Sequence, residues 1–166
     1  MIRVVCPFTA IKPGVAEALD ATGIAWEAID VSGSDSAYWE LLDSLWTAGE
    51  TFIVVEHDVV VRPDTLDYLR YCPQSDVCTY PIPYFWSPQA VGMACNKFGS
   101  TFIARHPDLM AQAAEMSDEQ HPPKHWCRQD QWIQTLIRPE VYHVHLPPLA
   151  HYREPGKSLT SSHGCS

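Results

Sequence analysis

Apolar residues recur along the first third of this chain alternately in short unbroken runs and at helical spacing. Arg3-Val-Val-Cys6 is the first run, and Pro7-Phe8-Thr9 leaves it as a loop. Pro13 stands near a helix start, where its missing N–H does no harm. Val15, Ala16 and Leu19 give that helix an inner face, and Gly23 supplies its stop. Residues 24–29 form a second strand ending at Asp30, followed by a turn over 32–36 rich in capping residues. Tyr38, Leu42, Leu45 and Trp46 then fall at i, i+4, i+7 and i+8, the spacing of a helix with one buried face, and Gly49 ends it. Phe52-Ile-Val-Val55 is apolar throughout and mostly β-branched, the pattern of a strand covered on both faces.

This β-α-β-α-β order implies parallel neighbours joined by right-handed crossovers. In such sheets ligands bind beyond the carboxyl ends of the strands. Pro7-Phe8-Thr9, Asp30 and Glu56-His57-Asp58 are therefore expected along one sheet edge. The last group arrives directly after the buried run and before a second apolar run, Val59-Val-Val61. Carboxylates at the end of a buried strand are costly unless a cation meets them. A hard divalent cation such as Mg²⁺ or Mn²⁺ would do so, while the plainer reading is solvated acids at a strand end.

The remainder is less regular. Pro63 opens a helix with Leu66 and Leu69 inward, ending near Cys72-Pro73, and residues 75–79 suit a short strand. Pro81, Pro83 and Pro88 deny regular structure to an aromatic loop carrying Tyr84, Phe85 and Trp86. The pattern predicts strands at 91–95 and 100–104 around a turn at 96–99. A helix follows Pro107, burying Leu109, Met110, Ala113 and Ala114, and then a polar loop runs over 117–124. Residues 128–137 form a helix with Ile133, Leu136 and Ile137 as its stripe and Asp130 in its first turn. The stretch 141–151 is a strand and then a turn, with His143 and His145 on one face by alternation.

A chain of 166 residues with 46% hydrophobic composition suits one domain, expected over 1–153 with a polar tail over 154–166. A net charge of −9 disfavours non-specific binding to a phosphate backbone but permits a phosphate ligand held through a bridging metal. No apolar run is long enough to span a membrane, and the first residues lack a signal-peptide layout, so a cytoplasmic location is expected. The 6 cysteines are scattered without a CxxC pair, which argues against a zinc ribbon and fits reduced thiols.

Together these features resemble glycosyltransferases of the GT-A fold, over about residues 3–151. Glu56-His57-Asp58 looks like that family's DxD motif with glutamate first, and Arg128-Gln129-Asp130 looks like its xED motif with glutamine in the middle. His145 or His151 looks like its C-terminal metal-binding histidine. The resemblance implies a three-layer α/β/α fold with a mainly parallel central sheet, in a compact form of the kind some phages encode. It implies a nucleoside-diphosphate-sugar donor, a UDP-sugar first, and Mn²⁺ or Mg²⁺. Asp58 would be the first metal ligand and His145 a further one, with His151 competing for that place. Glu56 would contact ribose, or the metal through water, and His57 would lie with it against the donor. Pro7, Phe8 and Thr9 would border the nucleobase, and Asp30 would accept a hydrogen bond from base or ribose. Asp130 would be the general base, which makes the reaction inverting, or would only bind acceptor, which leaves retention open. Tyr84, Phe85 and Trp86 would stack on an acceptor ring or else cap the core. A small metabolite, a polysaccharide, a protein or a modified nucleic-acid base would all serve as acceptor, the acidic balance leaning against DNA.

Two readings compete with this one. The first is a metal-dependent hydrolase using His57, Asp58, His143, His145 and His151, although no HExxH is present. The second is a non-catalytic nucleotide-binding module on the same fold.

Overall fold

The computed structural model describes residues 2–81, 94–125, 129–137 and 142–151, with Asp130 and His151 described through their backbone alone. The elements run β1 (Arg3–Phe8), α1 (Val15–Asp20), β2 (Glu27–Asp30), α2 (Ala37–Thr47), β3 (Phe52–Val55), β4 (Val59–Val60) and α3 (Thr65–Tyr71). They continue β5 (Val77–Tyr80), β6 (Cys95–Phe98), α4 (Ser100–Arg105), α5 (Leu109–Ala114), α6 (Gln129–Ile137), β7 (His143–Val144) and β8 (Ala150–His151). The aromatic loop with Tyr84, Phe85 and Trp86 and the tail over 154–166 lie outside the described residues.

A 6-stranded sheet has the order β2-β1-β3-β6-β5-β7, and β4 pairs with β8 in a separate 2-stranded sheet. In the large sheet β1 is parallel to β2 and to β3, and β5 to β7, while β6 runs antiparallel to both β3 and β5. The fold is thus mixed α/β with a mostly parallel sheet. Strand alternation sorts the core into two clusters. Val5, Phe52, Val54, Val77 and Phe98 pack with apolar residues of α2, α4, α5 and α6. Val4, Cys6, Ile53, Val55, Cys78 and Tyr80 pack with Val15 and Leu19 of α1 and Leu66 and Leu69 of α3. Trp46 anchors the first cluster, edge-on to Phe98 at 5.5 Å and to Phe102 at 6.0 Å.

One segment departs from its pattern. The expected turn at 96–99 is largely the strand β6, and the expected strand at 100–104 is the helix α4. Of the expected strand 91–95, only Ala94 and Cys95 are described, and Cys95 begins β6. Asn96 and Lys97 suggest a turn by residue type, yet both are buried because β6 fills the space between β3 and β5. Ladder pairing on both sides outweighs local preference there. Gly99 then closes the corner: its N–H donates to the Asp76 carbonyl at 2.7 Å. A Cβ at Gly99 would stand 3.0 Å from both Cβ and the carbonyl oxygen of Asp76. The Ser100 N–H donates to Thr51 Oγ1 at 3.0 Å, serving one of the open donors at the start of α4. Gly99→Ala should therefore cost about 1–3 kcal/mol, read as a lower urea midpoint at unchanged m-value. A midpoint equal to that of the parent would mean the corner has room to relax.

Among the described residues no helix is long and apolar enough to cross a membrane.

Candidate functional site

The carboxyl ends of β1, β2 and β3 lie side by side because the three strands are parallel neighbours. Pro7 is buried and in register with Ile29, and half-buried Phe8 is in register with Asp30. Thr9 lies just beyond, exposed. The Val31 N–H donates to the Phe8 carbonyl at 2.9 Å, so the two strand ends leave the sheet together. The exposed Asp30 carboxylate accepts the Ser32 N–H at 2.8 Å. Ser32's side chain and then its N–H hold that carboxyl below the usual range. In the described structure Asp30 shapes a turn, and its exposure leaves it reachable from solvent.

Beyond β3 the chain turns tightly, with the Val59 N–H donating to the Glu56 carbonyl at 3.1 Å. The Glu56 N–H donates to the Ala94 carbonyl at 2.9 Å, and the His57 carbonyl accepts the Lys12 N–H at 3.0 Å. The loop after β1 therefore crosses over the 56–58 turn. Glu56 and His57 are half-buried, whereas Asp58 is only 4% exposed. Burial, then Glu56, then Asp58 push the Cys6 thiol up to about 12. Both carboxylates thus exert their field on the end of β1.

The C-terminal segment returns to the same place. β4 and β8 are antiparallel, with His151 in register with Val59, the residue after Asp58. Arg62 holds that return: its guanidinium donates to the carbonyls of Pro147 at 3.2 Å and Pro148 at 3.3 Å. The Leu149 N–H donates to the Pro81 carbonyl at 2.9 Å. Backbone pairing thus returns the chain at His151 to the turn that carries the buried Asp58 and the half-buried Glu56.

His145 stands elsewhere. It follows β7 at the far edge of the sheet, donating its N–H to the Thr79 carbonyl at 2.8 Å and stacking on Tyr80 at 4.8 Å between centroids. His143 lies against it, with ring centroids 4.3 Å apart. The structure gathers both histidines with Cys72 and Cys78. The Cys72-x5-Cys78 and His143-x-His145 spacings were the available signal, and a search confined to CxxC pairs passes over them. Asp130 falls in the first turn of α6, directly after the buried Gln129. Arg128, the first residue of the xED-like triplet, lies outside the described residues.

No family model matches this sequence. No curated protein matches it either. Solved structures do match by fold. A197 from STIV aligns with a TM-score of 0.57 at 10% identity, covering 93% of this chain and 87% of that one. A glycosyltransferase involved in the glycosylation of the major capsid of PBCV-1 aligns with a TM-score of 0.51 at 14% identity, covering 87% of this chain and 81% of that one. The likeness is one of fold alone, and it is shared with a glycosyltransferase among the matched structures.

Proposed function

We propose that this protein is a metal-dependent glycosyltransferase taking a nucleoside-diphosphate sugar, a UDP-sugar first, as donor. The observation that carries this reading is the near-complete burial of Asp58 at the carboxyl edge of a parallel sheet, with Glu56 beside it. The glycosyltransferase among the structural neighbours supports it, as do the two apolar clusters, which fit a three-layer α/β/α architecture.

In this reading Asp58 holds Mn²⁺ or Mg²⁺, and Glu56 contacts the ribose, or the metal through water. Of the two candidate histidines, His151 is the better placed, because backbone pairing sets it opposite Val59. The cation, when bound, offsets the charge that grows on the departing nucleoside diphosphate. Phe8, with Pro7 and Thr9, borders the nucleobase, and Asp30 accepts a hydrogen bond from base or ribose. His57 lies with Glu56 along the donor. Asp130 takes the proton of the acceptor hydroxyl, which gives inversion at the anomeric carbon. Tyr84, Phe85 and Trp86 are assigned to the acceptor. The hydrolase reading gains nothing from the structure, since His143 and His145 gather with cysteines at the β5–β7 edge.

A thermal-shift screen tests the reading. Nucleoside diphosphates with Mn²⁺ should raise Tm by about 5–15 °C at saturating excess, whereas the same nucleotides with chelator should not. A shift independent of divalent cation would remove the metal from the proposal. No shift with any nucleotide would remove the donor. Metal-dependent binding without turnover of any donor, to acceptor or to water, would make the protein a binding module.

A further inference from the structure

We infer that Cys72, Cys78, His143 and His145 form a second metal site, a tetrahedral Cys₂His₂ centre for Zn²⁺ that clamps the edge of the sheet. Of the histidines considered for the donor cation, the inference uses only His145, which the structure places at the far edge of the sheet beside β5.

The backbone brings the four together. α3 ends at Tyr71, and Cys72 leaves it in an extended conformation ahead of Pro73. Cys78 is the second residue of β5 and is fully buried. It is in register with His143 of β7, and alternation returns His145 to the same face of the sheet. The four donor atoms all lie within 4.8 Å of one another, with Cys72 Sγ 3.2 Å from His143 Nδ1. A tetrahedral zinc with these ligands sets its donors roughly 3.3–3.8 Å apart, so small side-chain adjustments close the site.

The chemistry matches zinc more closely than Mg²⁺ or Mn²⁺. Thiolate and imidazole together select a soft or borderline cation, whereas the carboxylates at Asp58 suit a hard one. Among the described residues, His145 Nε2 is buried without a hydrogen-bond partner, leaving a nitrogen for which coordination is a natural use. Lys97, itself buried, donates to the Cys72 carbonyl at 3.4 Å. Binding would release both thiol protons: one Zn²⁺ replaces two H⁺, and two thiolates with two neutral imidazoles balance its charge. An open cavity of about 480 Å³ gives the ion a path, with Asp64, Asp67, Tyr68 and Tyr71 lining it alongside three of the ligands.

The clamp also answers a mechanical need. β7 is a 2-residue strand at the sheet edge and pairs only with β5 among the described strands. So short a pairing is weak alone. Four filled coordination positions leave none open for water, which makes this a structural rather than a hydrolytic centre.

The experiment is Co²⁺ titration of the reduced, metal-free full chain, with zinc content measured on protein purified without chelator. The expected result is one equivalent of Co²⁺ giving a thiolate-to-metal charge-transfer band with tetrahedral ligand-field bands, displaced by one equivalent of Zn²⁺. Chelation should lower Tm by about 5–15 °C. Cys72→Ser, at a half-buried position, should lose the stoichiometric signal, as should His145→Ala, while Asp58→Asn keeps it. Absence of the tetrahedral signature in the reduced parent protein overturns the site, whether or not the variants fold. So does native mass spectrometry showing a Cys72–Cys78 disulfide that persists under mild reduction. Neither result touches nucleotide binding at Asp58, so the two readings fail separately.

Discussion

Asp58→Asn is expected to weaken Mn²⁺-dependent binding of a nucleoside diphosphate by at least about 100-fold, as measured by calorimetry with Mn²⁺ in excess. Changes to residues that merely orient metal ligands already cost about 10–100-fold in metal affinity, so loss of a ligand's charge should cost no less. Asparagine keeps the shape of the side chain and a carbonyl oxygen, so the packing of a residue only 4% exposed is preserved. The Tm of the variant without metal is the folding control. A parent-like affinity would place the cation elsewhere. Lost affinity together with a collapsed Tm would show Asp58 to be structural.

Asp130→Asn is expected to lower sugar transfer about 10²–10⁴-fold while leaving affinity for the nucleoside diphosphate with Mn²⁺ intact. Its placement rests on helix geometry. α2 leads from the end of β2 to the start of β3, so it begins at the carboxyl edge of the parallel strands. Trp39, near that beginning, stacks on Trp132 of α6 at 6.4 Å. The same indole N–H reaches the His125 carbonyl at 3.4 Å. The first turn of α6 is thereby carried toward the edge where α2 begins. Release of nucleoside diphosphate from a UDP-sugar, with water standing in for an unidentified acceptor, gives the readout. Unchanged turnover would end the assignment of Asp130 as base, and lost nucleotide affinity would move it into the donor site.

Much of the architecture was legible because its first third obeys two clean periods. The runs at 3–6 and 52–55 and the stripe Leu42, Leu45, Trp46 are the observed β1, β3 and α2 within a few residues. Burial on both faces of β3 also follows from its composition. The segment 95–105 was misread because Asn96, Lys97 and Gly99 carry strong local turn preferences, and only the neighbours β3 and β5 reverse them. Trp39 escaped the helical stripe, yet it is buried because α6 packs against it.

The sequence by itself determined the alternation of strand and helix, and through it the collection of Phe8, Asp30 and Glu56 to Asp58 at one edge. Local periodicity and the handedness of crossovers suffice for that, since both act between neighbours in the chain. Tertiary structure alone decided which histidine meets which partners. His145 joins Cys72 and Cys78 because β7 pairs with β5, while His151 stands in register with Val59 because β8 pairs with β4. Strand pairing between segments some 65 to 90 residues apart sets these contacts through backbone hydrogen bonds and burial, terms that no local pattern records.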